Sequence, residues 1–340
     1  MTLSVGIMGA GAVGCHVGGH LAAAGASVVF VARGRYKAEL ESFDLRLTGL
    51  GGSPVIVERS KFSVSGEPAA LADCDVVLVC VKSAESAKTG ELLAPVLRSD
   101  VLVGSMQNGV RNADELRKKL GERTVLGGIV GFNVVPKGEG ALHQATTGPL
   151  VIEWSDHPRF APLVRAMKSG GLAVEVSHDI RGAQWAKLLM NLNNAVSALT
   201  GAPTRALIFE APYRRIVAGL IGEALDVMRA AGVEPARLGA IPPSLFPFLL
   251  KLPSVVLRAV ARVQLDVDPD ARSSMHEDFV RGRPTEVDDL NGEIVRLAEG
   301  AGAAAPKNRR NVELVHAAEK KAAGCPEMSA DALWSALSST

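Results

Sequence analysis

The stretch Leu3-Ser4-Val5-Gly6-Ile7-Met8-Gly9-Ala10-Gly11-Ala12-Val13-Gly14, continuing to Ala24, decides the fold. The apolar run Leu3–Met8 reads as a buried strand, the glycines form a G-x-G-x-x-G turn, and a helical stretch follows. This is the strand, turn and helix order of a dinucleotide-binding site. Gly9 permits the tight turn, Gly11 lets backbone approach a pyrophosphate, and Gly14 lets helix and strand pack closely. Ala10, Ala12 and Val13 complete the turn, and the unpaired N–H groups of the helix start suit an anion.

Working outward, the second strand, Ser27–Val31, ends in Ala32-Arg33-Gly34-Arg35. An NAD site places an Asp or Glu near here for the ribose 2′-hydroxyl, and this chain has none. The guanidinium forks of Arg33 and Arg35 instead match a 2′-phosphate in charge and geometry, which points to NADP. Two solvated arginines at a strand end is the plainer alternative. His16 and His20 stand at a metal-ligand spacing on the first helix. With no third ligand nearby and no H-E-x-x-H pattern they read as packing or surface histidines, and no metal is expected.

Further along, Val76–Val81, Val101–Ser105 and Val125–Val130 join the first two runs as strands of a buried parallel sheet. Val55–Glu58, Asn133–Val135, Pro149–Glu153 and Leu172–Val176 suggest that this sheet continues, with antiparallel strands. From Asp179 onward helical periodicity takes over, in Asp179–Leu199, Arg214–Ala231, Ala271–Gly282 and Thr285–Ala301. The expected fold is α/β: a Rossmann-like dinucleotide-binding domain, residues 1–177, then a mainly α-helical domain, residues 178–340. The tail after Gly324 reads as loosely held.

Composition sets limits on partners. A chain of 340 residues, 47% of them hydrophobic, exceeds one ordinary core. With a net charge of +1 and no basic stripe, nucleic acid is not an expected partner. Cys15, Cys74, Cys80 and Cys325 form no C-x-x-C pair and read as buried reduced thiols, which suits a cytoplasmic location. No secretory signal is apparent. The apolar region Ile241–Val263 is broken by Pro242, Pro243, Pro247 and Pro253 and carries Lys251, Arg258 and Arg262. It reads as a helical excursion, buried or forming an interface, rather than a membrane span, and is consistent with a homodimer.

Three segments bear on chemistry. Val81-Lys82-Ser83 and Gln107-Asn108-Gly109 each follow a predicted parallel strand, where open α/β sheets bind ligands, although alone they could be a solvated charge and a turn. In Lys187-Leu-Leu-Met-Asn191-Leu-Asn193-Asn194, a continuous helix at ~100° per residue places Lys187, Asn191 and Asn194 within about 60° of one another. An ammonium on such a face, among apolar neighbours, is a natural acid for a developing alkoxide.

Together with Ser273-Ser274-Met275 and Arg283-Pro-Thr285-Glu286-Val-Asp288-Asp-Leu-Asn291-Gly292, these motifs resemble the ketopantoate (2-dehydropantoate 2-) reductase family over nearly the whole chain. The resemblance implies NADPH-dependent reduction of a 2-oxo acid, ketopantoate to pantoate in pantothenate and coenzyme A biosynthesis, with a C-terminal domain like that of 6-phosphogluconate dehydrogenase. It implies Lys187 as general acid and a substrate contact at Asn191. Ser274 and Glu286 would bind the substrate's carboxylate and hydroxyl ends, with Asn194 on the same substrate-facing side. Lys82, Asn108 and Glu286 would lie where cofactor and substrate meet. Thr285-Glu286-Val287-Asp288 also reads as a helix N-cap with acids in the first turn. Two departures stand out. Better-known members carry a second asparagine where this chain has Ala195, and the excursion Ile241–Val263 is longer than compact members need. A reductase of another 2-oxo acid or imine, or a silent NADP-binding sensor, are the competing readings.

Overall fold

The computed structural model describes residues 2–50, 53–237, 241–254, 257 and 272–339. The chain divides into two compact units, Met1–Ile180 and Arg181–Thr340.

In the first unit, six parallel strands form a sheet: β1 (Ser4–Met8), β2 (Ser27–Val31), β5 (Phe62–Ser65), β6 (Val76–Val79), β7 (Leu102–Ser105) and β8 (Thr124–Leu126). Their order, β5-β2-β1-β6-β7-β8, is that of a doubly wound dinucleotide-binding sheet. Side chains alternate across it. Ile7, Val28, Phe30, Val76 and Leu78 join a core with Val17 and Leu21 of helix α1 (Ala12–Ala23) and Leu163 and Met167 of α5 (Phe160–Ser169). Met8, Val31, Val77, Val79 and Val103 pack the other way. Their partners include Leu93 of α3 (Ser86–Leu93) and Leu116 and Leu120 of α4 (Asn112–Leu120). Burial on both faces explains the unbroken β-branched runs that made these strands legible.

The remaining strands do not extend this sheet, contrary to the sequence reading. β10 (Val134–Gly138), β11 (Ala141–Gln144), β3 (Leu45–Thr48) and β4 (Val55–Val57) form one separate sheet, while β13 (Val174–Ser177), β12 (Leu150–Glu153) and β9 (Gly128–Val130) form another. The run Val125–Val130, expected as one parallel strand, is split between β8 and β9. The cause is the Gly127-Gly128 pair. Gly127 N–H donates to Glu153 Oε2 at 2.7 Å, and a Cβ at Gly128 would stand 2.6 Å from the Ser105 carbonyl oxygen, so only glycine lets the chain cross there.

The second unit is helical: α6 (Ile180–Asn191), α7 (Asn193–Thr200), α8 (Thr204–Phe209), α9 (Ala211–Ala230), then the helices Phe246–Leu249, Ser274–Val280, Asn291–Ala301, Pro306–Lys321 and Ala330–Ser338. Two expected helices are interrupted. Asp179–Leu199 breaks at Leu192, and Thr285–Ala301 becomes the 3-10 turn Val287–Asp289 followed by the helix Asn291–Ala301, separated by Leu290 at φ −114°, ψ −89°. For the expected helix Ala271–Gly282, Ala271 lies outside the described residues. The tail is not loose: Ser329 Oγ caps its last helix by accepting from Ala332 N–H, and Leu333 and Leu337 are buried. Of the apolar excursion Ile241–Val263, residues 255–256 and 258–263 lie outside the described residues. Buried Arg214 of α9 holds its described part, donating to Leu252 O at 2.8 Å and Ser254 Oγ at 2.9 Å, while Leu245 and Phe248 are exposed. Among the described residues, no helix is long and apolar enough to cross a membrane.

Candidate functional site

The Gly9–Gly14 turn follows β1 where the strand order reverses between β1 and β6, the place at which such sheets bind ligands. Gly9 takes φ +95°, and a Cβ on it would stand 2.6 Å from Val81 Cγ1. At Gly14 a Cβ would stand 2.5 Å from Gly9 O, so helix and strand pack in contact there. At Gly11 a Cβ would meet nothing within 4 Å. Gly9 and Ala10 N–H donate to Val31 O at 3.2 and 3.1 Å, fastening the turn to the end of β2. The first bond into the helix is Cys15 N–H to Gly11 O at 2.8 Å, which leaves Ala12, Val13 and Gly14 at the open helix end with no acidic residue in the first turn. Open space over Gly11, free helix-end donors and no competing carboxylate together fit a dinucleotide pyrophosphate.

The residues that follow β2 are Ala32 and Arg33, with no Asp or Glu between this strand and α2. Arg33 occupies the N-cap position of α2 (Gly34–Ser42) and is exposed. Arg35, also exposed, stacks its guanidinium 4.8 Å from the Tyr36 ring centroid.

Lys82 and Asn108 are joined through a buried polar network. Ser83 Oγ donates to Asn108 O at 2.6 Å, and Asn112 Nδ2 donates to the same carbonyl. Gln107 Nε2 donates to Val81 O at 3.0 Å and to Ser86 Oγ at 2.8 Å, while its Oε1 accepts from Ser105 Oγ at 2.9 Å. Five buried polar side chains therefore clamp the loop after β6, which bears Lys82, to the loop after β7, which bears Asn108. Sequence reading missed Ser83, Ser86, Ser105 and Asn112, because lone small polar residues carry no pattern until the strands are paired.

The two histidines pack on each other. Their ring centroids lie 4.6 Å apart, His16 lies 5.4 Å from Phe132, and His20 Nδ1 sits 2.6 Å from Gly170 O. Burial, then the neighbouring His20 ring, pulls the His16 pKa down to about 4. Among the described residues no three His, Cys, Asp or Glu side chains gather as a metal site. All four cysteines are free thiols; Cys15 and Cys74 are buried, but Cys80 and Cys325 are only partly so, a correction to the expectation of uniform burial.

In the second unit, Lys187 and Asn191 stand one turn apart on α6. The Lys187 side chain is partly accessible, yet burial lowers its pKa below the ordinary lysine value, and it makes no hydrogen bond or ion pair among the described residues. Asn191 is buried. Asn194 follows the interruption at Leu192, where the backbone stays helical at φ −59°, ψ −21° and Leu192 N–H still donates to Leu188 O at 3.1 Å. The Asn194 carbonyl accepts from Ser273 Oγ at 3.0 Å. Ala195 is fully buried, a core position in this chain.

Ser274 opens the helix Ser274–Val280, but the cap is the neighbouring Ser273, buried, whose Oγ accepts from His276 N–H and whose N–H donates to Ser197 Oγ at 3.4 Å. The segment bearing Ser274 is thus tied to α7. Glu286 precedes the turn Val287–Asp289 and makes no side-chain cap bond; the capping interaction is Thr285 Oγ1 accepting from Val287 N–H at 3.3 Å. Burial, then the charge of Glu286, pushes the neighbouring Asp289 carboxyl up to about 6.

Comparison with known proteins places this arrangement. The family described as "Ketopantoate reductase PanE/ApbA" matches residues 5–156, and "Ketopantoate reductase PanE/ApbA C terminal" matches residues 179–319. A 2-dehydropantoate 2-reductase of Halobacterium salinarum is 28% identical over 319 residues, covering 92% of this chain and 98% of its own. That of Archaeoglobus fulgidus is also 28% identical, covering 92% and 97%. The crystal structure of a PanE/ApbA family ketopantoate reductase from Ralstonia eutropha is similar with TM-score 0.78 and 35% identity, over 94% of this chain and 99% of that one. D-mandelate dehydrogenase, solved with NADH and anilino(oxo)acetate, shares the fold at TM-score 0.74 and 20% identity, over 94% and 99%. A glycine turn at the switch point of a doubly wound sheet, followed by a helical unit and matched along both halves, identifies this chain as an oxidoreductase belonging to the ketopantoate reductase family.

Proposed function

We propose that the protein reduces a 2-oxo acid to a 2-hydroxy acid with NADPH, the leading substrate being ketopantoate, which would place it in pantothenate and coenzyme A biosynthesis in the cytoplasm. Residues 1–177 bind the cofactor and residues 178–340 supply the acid and most substrate contacts. The observation that carries the reading is Lys187, whose pKa burial lowers and which makes no hydrogen bond or ion pair among the described residues.

NADPH, when bound, supplies the hydride. The Gly9–Gly14 backbone holds its pyrophosphate, and Arg33 with Arg35 its 2′-phosphate. Lys82 and Asn108 stand at the boundary between cofactor and substrate. Lys187 donates its proton from Nζ to the oxygen that becomes the hydroxyl, and a lowered pKa makes that transfer easier near neutral pH. Asn191, Asn194 and Glu286 orient the substrate, and Ser274 binds its carboxylate. A homodimer is part of the same reading; a related ketopantoate reductase from Staphylococcus aureus is described as dimeric.

A second reading, reduction of a different 2-oxo acid, is favoured by Ala195. A buried alanine offers no hydrogen bond where better-known members have an asparagine, and the D-mandelate dehydrogenase fold neighbour acts on a differently shaped acid class. NADPH oxidation with a panel of 2-oxo acids that includes ketopantoate tests both. Turnover of ketopantoate supports the first reading, turnover of another acid alone moves the assignment to the second, and a preference for NADH overturns the role given to Arg33 and Arg35.

A further inference from the structure

Glu286 sits in a four-residue segment whose two ends are both fastened to one helix. At the front, Thr285 N–H donates to Glu319 Oε1 at 2.8 Å. At the back, Asp288 Oδ1 lies 3.0 Å from His316 Nε2. The two anchors are themselves joined, because His316 Nδ1 lies 2.9 Å from Glu319 Oε2. His316 and Glu319 are three residues apart on the helix Pro306–Lys321 and so share a face. One imidazole ring thus bridges two carboxylates, and the pair straddles the residue read as a substrate ligand.

We propose that His316 is a positioning residue: in its doubly protonated form it clasps the turn 285–288 to the helix Pro306–Lys321 and thereby sets Glu286. The proposal rests on the reading of Glu286 as a substrate ligand. With both ring nitrogens facing carboxylate oxygens, only the imidazolium can donate to both; a neutral ring donates to one and repels the other.

The charged groups around His316 are accounted for. Asp288 faces it from the turn and Glu319 from its own helix. Asp289 and Glu293 pair with Arg296, and Glu313 pairs with Arg310. Lys320, one turn on, is exposed. Partial burial on its own would lower the His316 pKa, but the hydrogen bonds it donates to Glu319 and Asp288 outweigh burial and raise the value above that of an ordinary histidine. The sign follows: the clasp is complete below the ordinary histidine pKa and is lost as pH rises through the raised one. Exposed ion pairs are individually weak, so the clasp biases one turn rather than holding the fold, and a three- to tenfold effect on substrate KM is the expected scale.

The test compares wild type with His316→Ala and His316→Arg as full chains. Hydrogen exchange of the segment 283–290 is followed by mass spectrometry, alongside kcat and the KM for ketopantoate at pH 6 and pH 8.5. The expected result is faster exchange in His316→Ala, a KM raised three- to tenfold at pH 6 with kcat unchanged, and a wild-type KM that climbs between pH 6 and 8.5 while that of the permanent cation His316→Arg does not. Unchanged exchange in His316→Ala overturns the clasp. Faster exchange with unchanged KM overturns the positioning role and leaves a structural contact. Absence of wild-type turnover with ketopantoate is a failure of the functional reading instead, and the exchange comparison still decides the clasp.

Discussion

Gly14 packs so tightly against Gly9 that a Cβ at position 14 would stand 2.5 Å from the Gly9 carbonyl oxygen, whereas a Cβ at Gly11, between them, would meet nothing within 4 Å. The two glycines therefore serve different ends, one the packing of helix on strand and the other the approach of a ligand.

Separate outcomes follow for their alanine variants. Gly14→Ala forces α1 off β1 and is expected to cost about 1–3 kcal/mol, seen as a lowered denaturation midpoint. Gly11→Ala, at φ −80°, strains nothing and is expected to leave thermal stability unchanged while NADPH affinity, measured by fluorescence titration, falls tenfold or more. Normal NADPH binding by a stable Gly11→Ala variant would contradict the placement of the pyrophosphate.

Arg33 is expected to govern the choice of cofactor. It caps α2 from an exposed position and forms no ion pair among the described residues, so Arg33→Ala should leave stability intact. With a charge-assisted contact to a 2′-phosphate lost, about 1.5–3 kcal/mol, the KM for NADPH should rise roughly tenfold or more. That for NADH, which has no such phosphate, should not move. Equal changes for both cofactors would count against the assignment.

Legibility in the sequence followed burial. Strands buried on both faces, such as Val76–Val79, announce themselves as apolar runs, while Phe62–Ser65 and Ala141–Gln144 alternate over too few residues to stand out from loop. The glycine turn and the arginines after β2 were readable because their spacing is local. The clamp from Gln107 through Ser86 to Asn112 was not, since it depends on β6 and β7 lying side by side. The interruption at Leu192 likewise gives no local signal, as neither Gly nor Pro marks it.

Acid should destabilise the first unit through His16. Its pKa, lowered from 6.5 to about 4, means that the unfolded chain takes up a proton which the folded chain resists. Stability is therefore fully present above pH 6.5 and lost as pH falls toward 4, by up to about 3 kcal/mol. His16→Leu, which also removes two buried nitrogens without a hydrogen-bond partner, should retain more of its neutral-pH denaturation midpoint at pH 4.5 than wild type does. Parallel acid profiles for the two proteins would exclude His16 as the cause.

The central claim is that Lys187 delivers the proton. Its most direct measurement is kcat/KM for NADPH-dependent ketopantoate reduction as a function of pH, in wild type and in Lys187→Ala, with NADPH binding checked in both. If the protonated amine is the acid, wild-type activity declines as pH rises through a pKa below the ordinary lysine value. The variant should bind NADPH normally, lose activity about 100-fold or more, and lose that alkaline limb. A folded Lys187→Ala protein that turns over at the wild-type rate, with the alkaline limb intact, would contradict the account.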